Sequence, residues 1–78
     1  MTTTSALSEL TERAGARRRL PSPQARRHIR LAAGASLADI AASVGVTKQA
    51  VSLWEQGHGP GRENLVAYVA VLEALKAA

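Results

Sequence analysis

Two short apolar patterns separated by a glycine dominate the middle of the chain, in the stretch ADIAASVGVTKQAVSLWEQG over residues 38–57. On both sides of Gly45 the apolar residues recur at the three- and four-residue spacing of a helix that is buried on one face. Glycine most readily takes the left-handed conformation that ends many helices. The stretch therefore predicts two short helices, over residues 37–43 and 48–56, joined by a tight turn.

Capping residues predict where several helices begin. Ser36, followed by an aspartate three residues later, has the spacing of a capping box, and Thr47 is a typical N-cap. Ser22 stands before a proline, which favours a helix over residues 23–33.

A last helix is predicted over residues 62–76, after the loop GHGPG. Its apolar residues cover more than one face and form two rows, one of Leu65, Val69 and Leu72 and the other of Tyr68, Val71 and Leu75. One row closes the core. The other needs cover from a second subunit or from Leu7 and Leu10 near the N-terminus.

Large apolar residues are too few for a thick core. The 78-residue chain is 46% hydrophobic, but sixteen of these residues are alanine and phenylalanine is absent. Alanine has the highest intrinsic helix propensity, and no strand-like alternation occurs. We therefore predict one all-α domain in which helices approach each other closely.

Positive charge is concentrated near the N-terminus. Residues 1–30 carry seven arginines against two acids, whereas residues 31–78 carry three basic residues against four acids, and the net charge is +4. This asymmetry is typical of a protein with a polyanionic partner, although a solubilising surface has the same composition.

Residues 1–20 form a basic N-terminal segment, and residues 21–78 form the folded domain. Apolar residues at helical spacing in the segment predict a short helix over residues 5–14. Gly15 and the arginine run that follows it are equally compatible with a flexible arm.

Several classes of protein do not fit the sequence. Cysteine is absent, which excludes disulfides and thiolate chemistry, and no apolar run approaches the ~20 residues of a membrane span. The N-terminus lacks the pattern of a secretory signal, so a cytoplasmic protein is expected. His28 and His58 are not at a metal-ligand spacing, and no nucleophile–base–acid set occurs, so we expect no enzyme, metal or other cofactor.

The spacing within the helix pair matches that of a known family. If Leu37 is the first position of a helix-turn-helix, Ala41 falls where the two helices cross, Gly45 at the turn and Val51 at a buried branched position. Over residues 24–75 the chain resembles the Xre/Cro/C1-type, lambda-repressor-like DNA-binding domain. The resemblance is carried by RLAAGASLADIAASVGVTKQAVSLWEQG. It implies a compact lambda-repressor-like domain of four to five helices.

The resemblance also implies that the second helix of the pair enters the major groove of double-stranded DNA. The implied base contacts are made by Lys48, Gln49, Ser52 and Leu53. The implied DNA-backbone contacts are made by Arg17, Arg18, Arg19, Arg26, Arg27, Thr47, His58 and Arg62. In this family an arginine in the position of Arg30 typically forms a structural ion pair with a glutamate in the position of Glu55.

Some of these residues have a second interpretation. Leu53 can contact a thymine methyl group, but it is also typical of a partly buried core or dimer residue. His58 lies in a loop, where histidines are usually solvated, and the run Arg17–Arg19 is also compatible with a solubilising role.

Three features depart from the family pattern. Leu37 replaces a glutamine that is common there, so it cannot make that residue's polar contacts with the DNA backbone and a neighbouring side chain. Arg62 stands where an apolar residue is common, which would add a phosphate contact. The loop after Gly57 is one residue shorter than usual.

We expect a small transcriptional regulator, such as a phage- or prophage-type repressor or a Cro-like protein that occludes a promoter. A homodimer on a palindromic operator would suit such a protein, and no membrane or small-molecule ligand is expected. Two alternatives stay open. One is an antitoxin-like or other interaction module whose N-terminal segment wraps a protein partner. The other is a nonspecific architectural DNA binder, which Gln49 argues against.

Overall fold

The computed structural model describes residues 2–78, with side chains from Ser5 onward. Five helices make up most of this part of the chain, and no strand occurs in it. They are α1 (Thr2–Arg19), α2 (Pro23–Ala32), α3 (Leu37–Val44), α4 (Lys48–Glu55) and α5 (Arg62–Ala77). The predicted all-α class is confirmed.

Side-chain caps begin α2, α3 and α4. The hydroxyls of Ser22 and Thr47 each accept the backbone N–H three residues later, both at 3.2 Å. Ser36 and Asp39 form a reciprocal capping box, with bonds of 3.0 and 2.8 Å. The backbone N–H of Ser36, and then its hydroxyl, lower the pKa of the Asp39 carboxyl below its usual value. The predicted caps are therefore present, and they set where α3 and α4 start.

The turn between α3 and α4 depends on Gly45. Its φ of 89° lies in the left-handed region, where a residue with a Cβ would be strained. The N–H groups of Gly45 and Val46 both donate to the carbonyl of Ala41, at 2.8 and 2.9 Å. These bonds hold α4 close to the end of α3.

The main core lies between the α3–α4 pair and α5. Its buried residues are Ile40, Ala41, Val51, Trp54, Tyr68 and Leu72. The Trp54 and Tyr68 rings lie with their centroids 4.6 Å apart and their planes inclined by 51°. The two aromatic side chains of the protein therefore pack α4 onto α5.

Helix α5 divides its apolar residues between two neighbours. Leu65 and Val69 are buried with Ala16 of α1, whereas Tyr68 and Leu72 belong to the main core. All three residues of the predicted row Leu65, Val69 and Leu72 are buried, but they are divided between the two clusters. A helix that is buried on two adjacent sides has no single apolar stripe, so spacing alone does not separate its rows.

Helix α1 is longer than the predicted helix over residues 5–14. It continues through Gly15 to Arg19, and Ala16 and Leu20 pack it against α5. The arginine run forms the last turn of α1, where positive side chains interact favourably with the negative end of the helix dipole.

The N-terminal leucines do not cover α5. Leu7 is 63% exposed and Leu10 is 56% exposed, so the alternative in which these leucines, rather than a second subunit, cover the second row is wrong. None of the helices in the described part of the chain is long and apolar enough to cross a membrane.

Candidate nucleic-acid interface

Helix α4 has a buried face and an exposed polar face. Val51 is fully buried and Trp54 is 6% exposed, and both belong to the main core. Since a helix turns by about 100° per residue, the four predicted base-contacting residues fall within about 140° on the opposite side. Among them, Lys48, Gln49 and Leu53 are exposed and Ser52 is half-buried. The structure thus brings all four residues together on one surface.

The N-terminal end of α4 carries hydrogen-bond donors that can bind an anion. Thr47 Oγ1 accepts the Ala50 N–H at 3.2 Å, and Thr47 is exposed. Because the oxygen is the acceptor in this bond, the hydroxyl keeps its own proton and can donate it to a phosphate oxygen. The backbone N–H groups of the first turn point out of this end of the helix, as they do in known phosphate sites.

Gln56 extends the polar face by one turn. Its Nε2 donates to Ser52 Oγ at 3.1 Å, which orients the serine hydroxyl. The sequence prediction did not include Gln56. Its position four residues after Ser52, and therefore on the same helix face, is the signal that identifies it.

A buried ion pair holds the C-terminal end of α4 against α2. Arg30 Nε and Nη2 donate to the two carboxylate oxygens of Glu55 at 2.6 and 3.0 Å, and both side chains are at most 10% exposed. Arg30 Nη1 also donates to the Ala35 carbonyl at 3.0 Å. The bonds to Glu55 raise the pKa of Arg30, so the guanidinium stays charged. Arg30 and Glu55 therefore form the ion pair that the resemblance implied.

Arg26 does not lie where the sequence prediction placed it. It was expected to contact the DNA backbone, but it is 7% exposed. Its Nε donates to the Pro21 carbonyl and its Nη1 to the Trp54 carbonyl, both at 2.8 Å. Because the guanidinium is buried and already bonded, it cannot reach a phosphate from this position.

Arg27 lies beside a shallow depression on the surface between α2, α3 and α4. The depression has a volume of about 350 Å³, and Leu37, Ser52 and Gln56 also line it. Arg27 is exposed, whereas Leu37 is half-buried and packs against the main core. Arg27 and Leu37 therefore line the same depression, and Arg27 is the exposed cation in it.

The three arginines of the run Arg17–Arg19 are all exposed but have different surroundings. Arg19 Nε donates to the Glu73 carboxylate of α5 at 2.9 Å, in a salt bridge whose side chains are about half exposed. This bond ties the end of α1 to α5. Arg17 and Arg18 are therefore better placed than Arg19 to bind another anion.

His58 and Arg62 flank the loop between α4 and α5, and both are exposed. The His58 N–H donates to the Leu53 carbonyl at 3.0 Å, which closes the C-terminal end of α4 together with Gly57 at φ 115°. Arg62 is the first residue of α5. The N-cap residue of this helix is Gly61, which has no side chain to bond the first turn. The positive end of the α5 dipole and Arg62 therefore lie together at this loop.

The described residues contain no group of three or more His, Cys, Asp or Glu side chains that could hold a metal ion. The exposed polar groups around α4 are instead donors and cations, of the kind that contact base edges and phosphates.

The fold and the exposed face of α4 define a helix-turn-helix domain. The family model described as Helix-turn-helix matches residues 27–75, more than half of the chain, so the protein belongs to this family, in its Xre/Cro/C1 type. The domain is therefore of the type found in DNA-binding transcription regulators. The matched region contains α3, α4 and most of α2 and α5, and α1 lies outside it. No curated protein and no solved structure matches the chain.

Proposed function

We propose that the protein binds specific sequences in double-stranded DNA through the exposed face of α4 and represses transcription by occupying promoter DNA. In this respect it would act as a phage- or prophage-type repressor or a Cro-like protein does. One observation carries the proposal: the side chains of Lys48 and Gln49 are exposed at the start of a helix whose opposite face is anchored by Val51 and Trp54.

The chemistry of this face suits direct readout of bases. Gln49 can donate to and accept from the N7 and N6 positions of adenine, and Lys48 can donate to O6 and N7 of guanine. Leu53 is 46% exposed, so it is able to pack on a thymine methyl group. Ser52, oriented by Gln56, adds a hydroxyl between them.

Exposed cations and donors near α4 and at the end of α1 would position the domain on the phosphates without reading sequence. These groups are Thr47, Arg27, His58, Arg62, Arg17 and Arg18. Arg26 is not among them because its guanidinium is buried, and Arg19 has a smaller part because it is paired with Glu73.

The size of the domain supports repression by occlusion. Its principal extents are 41 × 24 × 20 Å. One turn of B-DNA is about 34 Å long, so a bound domain covers a length similar to that of a promoter element and blocks a competing protein. A homodimer would place two copies of α4 on the half-sites of a palindromic operator.

One observation favours a second function, an antitoxin-like or other protein-interaction module with the same fold. Leu7 and Leu10 of α1 are exposed on a helix that lies outside the family match. Such leucines suit contact with a protein better than contact with DNA.

Selection of bound sequences from a random pool of duplex DNA tests the proposal directly. We expect a defined motif, and a palindromic motif would indicate a dimer on DNA. A gel-shift comparison of the selected sequence with random DNA measures the preference. Tight binding without a motif would favour an architectural protein, and no binding would favour the protein-interaction module.

A further inference from the structure

Two arginines one turn apart on α2 hold two consecutive residues at the C-terminal end of α4. Arg26 donates to the backbone carbonyl of Trp54, and Arg30 donates to the side-chain carboxylate of Glu55. The second contact is an ion pair, but the first is made to a neutral peptide group.

Arg26 is a buried cation that forms no salt bridge within the described chain. Its two hydrogen-bond acceptors are the carbonyl oxygens of Pro21 and Trp54. Burying a charge is costly, and an apolar side chain of similar length would fill the same space at a lower cost in desolvation. What the guanidinium adds is a pair of directional bonds that no apolar side chain can make.

The bond to Trp54 lies at the C-terminal end of α4, where the Trp54 carbonyl also accepts the Gly57 N–H at 3.3 Å. The last carbonyls of a helix lack partners within that helix, and α4 has no basic residue in its last turn. Arg26 supplies both a donor and a positive charge to this negative end of the helix dipole. Through Pro21, the same side chain also ties α4 to the segment that connects α1 and α2.

We propose that Arg26 is a positioning residue that sets the angle at which α4 presents its base-contacting side chains. This inference rests on the proposed function. Lys48 lies about 9 Å along the helix axis from Trp54, so a tilt of about 10° about the C-terminal end moves Lys48 by about 1.5 Å. Hydrogen bonds to bases vary in length by only about 0.5 Å, so such a tilt breaks them. Phosphate contacts by flexible cations are less sensitive to it.

The test compares Arg26→Met and Arg26→Lys with the control Val69→Ala. Val69 is a fully buried residue of α5 that packs with Ala16 of α1, outside the cluster that contains Trp54. This control therefore lowers stability without changing the contacts of α4. For each folded variant, the affinity for the selected DNA sequence is divided by the affinity for random DNA. We expect Arg26→Met to lower this ratio by about tenfold or more, as the loss of one base contact does.

Arg26→Lys should lower the ratio by less, because lysine keeps the charge but lacks the planar fork that reaches two carbonyls. Val69→Ala should leave the ratio unchanged, even if it lowers the melting temperature as much as the Arg26 variants do. An equal change in the control, or an unchanged ratio in both Arg26 variants, would overturn the proposal. If Arg26→Met does not fold, Arg26→Lys and the control decide the question.

A readout without DNA separates this inference from the proposed function. Trp54 is the single tryptophan of the chain, so the emission spectrum of the protein reports on the end of α4. We expect a shifted spectrum for Arg26→Met and an unshifted one for Val69→Ala. A parent protein that prefers no DNA sequence would contradict the proposed function alone. In that case an unshifted Trp54 spectrum in the Arg26 variants would overturn the role of Arg26 as well.

Discussion

Tyr68 packs against Trp54 with ring centroids 4.6 Å apart, and its buried hydroxyl has no hydrogen-bond partner in the described part of the chain. Burial, and then the nearby charge of Glu55, raise the pKa of the Tyr68 phenol to about 12, although Arg26 and Arg30 oppose the shift. The ring therefore contributes packing, while the hydroxyl resists ionisation in the folded state.

The raised pKa predicts a loss of stability at high pH. A tyrosine ionises near pH 10 in the unfolded chain and at about 12 here, so the folded state binds the proton more tightly. This contribution to the free energy of unfolding is fully present below about pH 10, and about 2 kcal/mol of it is lost by about pH 12. Denaturant unfolding of the parent and of Tyr68→Phe measures it. The phenylalanine variant should lack this part of the pH dependence, and identical curves would contradict the prediction.

The two salt bridges in the described part of the chain predict losses of stability of very different size for similar substitutions. Glu55→Ala leaves Arg30 buried and unpaired, which should lower the free energy of unfolding by about 3–5 kcal/mol. Glu73→Ala removes the half-exposed bridge to Arg19 and should cost less than about 1 kcal/mol. Arg30→Met combined with Glu55→Leu should recover much of the first loss. Thermal melts of the four proteins test the contrast, and a Glu55→Ala melt equal to that of the parent would disprove it.

Gln49→Ala should reduce sequence preference rather than overall affinity. Loss of a bidentate base contact should cost about 1–3 kcal/mol on the selected site and relax one base position. Gln24→Ala is the matched control, because Gln24 is an exposed glutamine on α2. Binding assays on selected and random DNA would show the difference. Equal losses on both DNAs would remove Gln49 from the readout.

Arg17→Ala with Arg18→Ala should make DNA binding less sensitive to salt. Each phosphate contact contributes about 0.9 to the slope of log affinity against log salt concentration, so the double variant should flatten the slope by up to about 2. Arg19→Ala should have a smaller effect because Arg19 is paired with Glu73. Lys76→Ala, which removes an exposed cation at the end of α5, serves as control. An unchanged slope in the double variant would mean that the run only aids solubility.

Two alanines on α1 distinguish its docked face from its free face. Ala16 is fully buried against α5, whereas Ala14 is exposed. Ala16→Asp should therefore lower the free energy of unfolding by about 3 kcal/mol or more, since it buries an unpaired carboxylate. Ala14→Asp should lower it by only about 0.7 kcal/mol, the difference in helix propensity between the two residues. Equal stabilities would show that α1 is not docked in solution.

Local features of the sequence predicted the helix-turn-helix closely. The caps at Ser22, Ser36 and Thr47 and the left-handed Gly45 act within a few residues, so the sequence around each one was sufficient. The same holds for Val51 and Trp54, which fall on one side of a short helix. The family model that matches residues 27–75 covers the same local pattern.

The N-terminal segment was predicted less well. Spacing placed a short helix over Leu7 and Leu10, but the contacts with α5 are made later, by Ala16 and Leu20. A small buried alanine differs little in sequence from an exposed one. Only the approach of α5 shows which side of α1 is covered.

The sequence by itself determined the all-α class, the helix-turn-helix and the polar face of α4, because each depends on contacts between residues close in the chain. Only the tertiary structure decided the role of Arg26, whose guanidinium bonds to a carbonyl 28 residues away. Arg26 and Arg27 are adjacent and chemically identical, yet one is buried and the other exposed. Their difference arises from the packing of α2 against α4, which directs one side chain inward and leaves its neighbour in solvent.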